Sequence, residues 1–203
     1  MKNVKLSAWL ALSLVVLFAG RSPKYEVGDT VVDFKLKNVD GKYVSLSDYK
    51  TSKGVIVIFD CNTCPYSKAY NERIQALNKN YASKGFPVVA INANDPELSP
   101  GDSFEEMVAV AKKKKYDFPY LVDETQQVAK AFGASNTPHV FVLQRDGKDF
   151  KVAYIGAIDN NTRDENAADK KYVEEAVDAL LAGKPVPTAK TKAIGCGIKW
   201  RNV

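Results

Sequence analysis

The sequence predicts an α/β fold: a central mixed β-sheet flanked by helices on both faces, preceded by an N-terminal β-hairpin. Three observations carry this. Continuous apolar runs at 54–59, 88–92 and 139–143 read as strands buried on both sides. Stretches with apolar residues three and four apart alternate with them, as helices do. The strands at 139–143 and 151–155 are separated only by a turn at Asp146-Gly147, so they pair antiparallel and the sheet is mixed.

Residues 25–49 are short and β-like, with Val31, Phe34, Leu36, Val39, Val44 and Leu46 apolar and Asp40-Gly41 as the hairpin turn. The run 54–59 is the central strand. A helix follows over 65–83, with Pro65 in its first turn, a stripe of Tyr66, Tyr70, Ile74, Leu77 and Tyr81, and Gly85 at its end. After the strand at 88–92 comes a polar loop, 94–102. Next is a helix over 103–115, which Ser103 caps with Glu106 three positions on. A strand at 118–122 and a helix over 125–132, closed by Gly133, follow. Thr137-Pro138 leads into the strand at 139–143. The polar loop 159–166 precedes an amphipathic helix over 168–182, closed by Gly183. Residues 184–192 read as a linker, and 193–200 are apolar enough to dock on the domain.

The 203 residues fit one domain at 25–183, with a tail at 184–203. Hydrophobic residues at 45% and charged residues at 26% exclude wholesale disorder. A net charge of +5 is too small to argue for nucleic acid, and one His with three Cys excludes a His-rich metal site or a disulfide-dense mini-fold. Residues 1–20 have the layout of a secretory signal peptide, or of an anchor if uncleaved: Lys2 and Lys5, then an apolar run from Leu6 to Ala19. As a helix that run spans about 21 Å against a hydrocarbon core of about 30 Å. Either outcome places the domain outside the inner membrane, in the periplasm or cell envelope, where cysteine pairs oxidise.

Chemistry centres on Cys61-Asn62-Thr63-Cys64-Pro65, where a buried strand ends and a helix begins. Unpaired N–H groups and the positive end of the helix dipole favour a thiolate there. A two-residue spacer lets the sulfurs join as a disulfide. Cys61 is expected to attack and the deeper Cys64 to resolve the mixed disulfide. Asp60 opposes this, since a neighbouring negative charge disfavours the thiolate.

Cys61-x-x-Cys64 after a buried strand, with Thr137-Pro138 before another, resembles the thioredoxin superfamily. Val27-Gly28-Asp29, Asp33-Phe34-Lys35-Leu36 and Val44-Ser45-Leu46-Ser47-Asp48-Tyr49 resemble its redoxin branch, the alkyl hydroperoxide reductase/thiol-specific antioxidant proteins and their envelope relatives. The resemblance covers about residues 25–183. It implies a thioredoxin-like fold with an inserted strand–helix unit between Ala90 and Val122, a cis Thr137–Pro138 bond that presents backbone groups to an incoming chain, and thiol-disulfide exchange without a cofactor or metal. The implied partners are protein disulfides or dithiols, with a membrane electron donor as a further candidate, and a membrane only if the N-terminal segment is retained.

Two other readings use the same residues. Cys64-Pro65 resembles a peroxidatic Cys-Pro, but Cys61 stands where that motif has Thr or Ser, and Val57 where it has Pro. Arg73 and Arg145 are weak counterparts of the peroxide-polarising Arg. A copper carrier would use Cys61, Cys64 and His139. Three further residues are candidate modulators: Asp60 as a proton acceptor, His139 as a nearby charge, and Cys196 as a third thiol able to pair with Cys61 or Cys64. The primary activity is expected to survive Cys196→Ser. Asn92, Asn94 and Asp95 end a strand and are candidates for the rim of the site.

Overall fold

The computed structural model describes residues 24–201, so the targeting segment expected at 1–20 lies outside the described residues. Among these, no helix is long and apolar enough to cross a membrane. In chain order the elements are β1 (Thr30–Val31), β2 (Lys35–Asn38), β3 (Tyr43–Ser45), β4 (Gly54–Phe59), α1 (Pro65–Tyr81), β5 (Val88–Asn92), α2 (Phe104–Lys114), β6 (Tyr120–Val122), α3 (Gln127–Phe132), β7 (Asn136–Thr137), β8 (His139–Asp146), β9 (Asp149–Gly156), α4 (Tyr172–Leu181) and β10 (Cys196–Gly197).

Eight strands form one mixed sheet in the order β1-β9-β8-β4-β5-β6-β2-β3. The all-apolar β4 lies inside it, parallel to β5 and antiparallel to β8. A strand buried on both faces has no need of polar alternation. Its side chains still divide by the pleat. Ile56 and Ile58 join α1, α2 and α4 in one core layer. Val55, Val57 and Phe59 join α3 and the N-terminal segment in the other. Phe132 of α3 is the hub of the second layer, with ring centroids 5.0 Å from Phe141, 5.1 Å from Tyr25 and 5.4 Å from Phe59.

The N-terminal segment departs from the simple hairpin expected. β2 and β3 do pair across the turn at Gly41, whose φ of 83° suits glycine, and β2 continues the sheet beside β6. Residues 30–31 leave the hairpin and pair with β9 at the opposite edge. One segment therefore covers both sheet edges, which would otherwise offer unpaired backbone groups. The stripe on α1 is also shorter than its spacing suggests: Tyr70, Ile74, Leu77 and Tyr81 are buried, but Tyr66 is exposed. Periodicity marks a face of a helix, not where along it the core stops. On α2, Ser103 accepts the Glu106 N–H at 3.3 Å as expected, and Lys115 closes the helix in a left-handed conformation.

The linker and tail are bonded along their length. Ile155 donates its N–H to the Ala189 carbonyl and accepts from the Thr191 N–H, at 3.0 and 2.9 Å. β10 then pairs antiparallel with β7, setting Cys196 opposite Thr137 and Gly197 opposite Asn136. Ile198 enters the second core layer.

Gly54 begins β4 where no side chain fits: a β-carbon there would lie 2.1 Å from Phe86 Cε1 and 2.2 Å from the Leu143 carbonyl oxygen. Gly54→Ala is expected to lower stability by about 1–3 kcal/mol, as overpacking does, read as a lower urea midpoint with an unchanged slope.

Candidate functional site

β4 delivers the chain to Asp60 at the edge of the core, and the Cys61-Asn62-Thr63-Cys64 loop turns it into α1. Cys64 is the residue just before the helix, in extended conformation, with Pro65 at the first helical position. That proline lacks an N–H the helix could not have bonded, and its fixed φ suits the entry. The Thr137–Pro138 bond is cis. It carries Thr137 over the loop, so that one residue touches both sulfurs: Thr137 Oγ1 lies 3.1 Å from Cys61 Sγ, and its carbonyl oxygen 3.2 Å from Cys64 Sγ. Both cysteines are buried free thiols.

The two thiols are shifted in opposite directions. Cys64 Sγ accepts a hydrogen bond from the Cys61 thiol, which lowers its pKa most; burial opposes this, and the Cys196 thiol and the Ser67 and Cys196 amides add to the lowering, to about 4. The Cys196 N–H is 3.4 Å away. The Thr137 carbonyl resists the charge, since it can only accept, but the donors and the helix N-terminus outnumber it. Cys61 is pushed the other way. Its bond to Cys64 holds its proton most, burial adds to this, and Asp102 and Asp60 repel a second negative charge, while the Thr137 hydroxyl offsets part.

A buried carboxylate organises the loop. Asp102 accepts from the Asn62 N–H (2.6 Å), the Thr63 hydroxyl (2.7 Å), the Ser99 hydroxyl (2.6 Å) and the side-chain amides of Asn94 (2.9 Å) and Asn92 (3.2 Å). Burial raises its pKa, but these bonds outweigh that and leave it below its ordinary value of 3.8. Asn62 is held further by its amide donating to the Gly101 carbonyl and by accepting from Tyr120, at 2.9 and 3.0 Å. Asn92 and Asn94 therefore support the cysteine loop from beneath. Asp95 instead accepts from the tail, through Arg201 at 3.5 Å.

Asp60 is buried, and its Oδ1 has no hydrogen-bond partner. Burial raises its pKa to about 6, with Cys64 and Asp102 adding repulsion and bonds from Ser67 and the Cys61 N–H opposing. Ser67 Oγ lies 3.8 Å from Cys61 Sγ, so a hydroxyl stands between this carboxyl and that thiol. Asp60, Cys61 and Ser67 line one open cavity of about 320 Å³ that Lys113, Lys114 and Tyr116 border.

His139 does not supply a charge. Burial alone lowers its pKa to about 4, Nδ1 accepts the Ser135 N–H at 3.4 Å, and the ring packs on Phe141. Among the described residues, no three His, Cys, Asp or Glu side chains are grouped to hold a metal ion, so the copper ligand set of Cys61, Cys64 and His139 is not assembled. Arg73 is committed elsewhere, bonding Asp159 and the Asn161 carbonyl at 2.6 Å each. Arg145 lies at the exposed β8–β9 hairpin. The sequence alone assigns no role to Asp102 or Ser67. Ser67 lies three residues past Cys64, a spacing that places it in the same first turn, whereas nothing in the sequence marks Asp102.

Asp102→Asn puts an amide donor against five donors. It is expected to lower stability by about 3 kcal/mol near neutral pH, read by thermal or urea unfolding. The carboxyl's folded pKa lies below its unfolded one, so the unfolded chain binds the proton more tightly. Its contribution is full above about 3.8 and falls away as pH drops further. Wild type and variant should therefore converge in acid.

The chain is similar to known proteins in sequence and fold. The AhpC/TSA family model matches residues 27–150. The thiol-disulfide oxidoreductase ResA of Geobacillus thermodenitrificans is 27% identical over 150 residues, which span 72% of this chain and 80% of that protein. The crystal structure of a protein described as an uncharacterized conserved protein from Geobacillus kaustophilus superposes with a TM-score of 0.80 at 40% identity, covering 88% of this chain and 94% of the other. The thioredoxin domain of a thiol-disulfide oxidoreductase from Bacteroides vulgatus shares the fold alone, with a TM-score of 0.52 at 18% identity over 66% of this chain and 91% of its own. The chain belongs to the AhpC/TSA family and has a thioredoxin-like fold.

Proposed function

We propose that this chain is a thiol-disulfide oxidoreductase of the cell envelope, acting on protein disulfides or dithiols through Cys61 and Cys64. The observation that carries the reading is the pair of cysteine sulfurs at the start of α1, both within hydrogen-bonding distance of Thr137. Relatives named thiol-disulfide oxidoreductase support the reaction class. The apolar run at residues 6–19 supports the location and allows a membrane-held dithiol as electron donor.

On the opposite shifts of their thiols we assign the two cysteines the reverse of the roles expected from residue order. Cys64 carries the thiolate and attacks a substrate sulfur, forming a mixed disulfide and expelling one substrate thiolate. Cys61 then loses its proton through Ser67 to Asp60 and attacks Cys64 Sγ. The Cys61–Cys64 bond closes, the second substrate thiolate leaves, and two electrons have passed to the substrate. A dithiol donor reverses the sequence and restores the pair.

The deciding comparison measures insulin-disulfide reduction and hydrogen peroxide consumption for wild type, Cys61→Ser and Cys64→Ser. Wild type should reduce insulin, and both variants should lose that activity. Peroxide consumption that survives in Cys61→Ser, with no insulin reduction by wild type, would assign the peroxidase reading instead.

Asp60 gives a second test. Its folded pKa of about 6 exceeds its unfolded value of 3.8, so its stabilising contribution is full below 3.8 and lost as pH rises past about 6. Ionised, it costs on the order of 3 kcal/mol. Asp60→Asn should therefore raise stability at pH 8 while slowing insulin reduction by about a hundredfold, the scale of a lost proton acceptor. Unchanged turnover would remove Asp60 from the mechanism.

A further inference from the structure

The backbone edge of Asn136 and Thr137, where an incoming chain is expected to pair, already has an occupant. β10 lies on it antiparallel, with Cys196 opposite Thr137. The seat is specific. The Cys196 N–H points at Cys64 Sγ from 3.4 Å. The Asn136 side-chain amide donates to the Gly195 carbonyl at 2.9 Å, and the Ile198 N–H to the Ser135 carbonyl at 3.1 Å. A β-carbon on Gly195 would lie 2.1 Å from the Thr137 carbonyl oxygen, so the strand approaches as closely as it does because residue 195 has no side chain. The tail thus holds a cysteine against the active-site sulfur in the manner of a bound substrate strand.

We propose that Cys196 is the third redox cysteine of this centre, forming an internal disulfide with Cys64 and carrying the oxidised state from the buried pair to the tail. Its role as a carrier rests on the oxidoreductase reading above. The step is an exchange with no net change of electrons. Cys196 loses its proton to solvent, and its thiolate attacks Cys64 Sγ in the Cys61–Cys64 disulfide. The Cys64–Cys196 bond forms, the Cys61–Cys64 bond breaks, and the departing Cys61 sulfur takes a proton from the Ser67–Asp60 side. The consequence is access. Cys61 and Cys64 are buried, whereas Cys196 is half-buried on a two-residue strand. A dithiol donor that attacks Cys196 then releases the Cys64 thiolate and leaves a mixed disulfide on the tail, which its second thiol resolves.

Trypsin separates the participants, because Cys61 and Cys64 share the peptide 54–68 and Cys196 lies in 193–199. Reduced Cys61→Ser is treated with one equivalent of dipyridyl disulfide, blocked with N-ethylmaleimide, digested and mapped by mass spectrometry. The expected product is 54–68 joined to 193–199. Adding Gly195→Ala should slow its formation by about tenfold or more, because misplacing the attacking atom removes the benefit of proximity. Wild type treated in the same way should contain a fraction of 54–68 that carries one maleimide and is joined to 193–199, which makes the test independent of the folding of either variant. The proposal is overturned if Cys196 is recovered only as a pyridyl or maleimide adduct in both proteins, or if Gly195→Ala leaves the rate unchanged. Failure of insulin reduction by wild type, with the cross-link present, would instead remove the oxidoreductase reading and leave the internal disulfide standing.

Discussion

One constraint governs the site: two sulfurs and two carboxyl groups lie close together beneath the surface, and they cannot all be charged. Repulsion between like charges in a weakly polar interior amounts to several kcal/mol, so the structure must decide where the negative charge sits. It does so with donors. Asp102 keeps its charge because five N–H and O–H groups point at it. Cys64 is drawn toward the thiolate by two thiols and two amides, those of Cys61 and Cys196 and of Ser67 and Cys196. Cys61 and Asp60 receive fewer donors and hold their protons longer.

The sheet makes that distribution possible. β4 is buried on both faces and ends at Asp60, so the loop that follows starts from a fixed point. β8 runs beside β4 in register, with His139 opposite Phe59, which fixes where Pro138 and Thr137 can be. Thr137 therefore meets the cysteine loop because two neighbouring strands end together. The turn at 100–102 supports the loop from the other side, close enough that a β-carbon on Gly101 would come within 2.8 Å of Thr63 Cγ2.

Asp60 shows how a site keeps a group that stability alone would discard. A buried carboxyl with an oxygen left unpaired is a local conflict, of the kind found where chemistry needs a group near its own titration range. The Ser67 hydroxyl links it to Cys61 without fully satisfying it. The tail resolves a different difficulty: it covers the exposed backbone of β7 and supplies donors to Cys64, while its own anchors, Asn94, Asp95 and Gln126, come from the strand and loop ends around the site.

The sequence by itself determined the fold class, the Cys61–Cys64 pair at a strand-to-helix junction and Thr137-Pro138 before a strand. These depend on local order: apolar runs, turn residues and short spacings that neighbours in the chain express without help. Tertiary structure alone decided the rest. Asp102 is about forty residues from the loop it holds, which no spacing could reveal. Cys196 is a candidate by its chemistry, but which sulfur it faces, more than a hundred residues away, is set by the docking of the tail. The split of the N-terminal segment between two sheet edges is set by strand pairing, and the opposite shifts of Cys61 and Cys64 and the lowered pKa of His139 are set by burial and by donors that the fold brings together. Charge in a buried site is set by whatever surrounds it in space, and that is known only once the chain has folded.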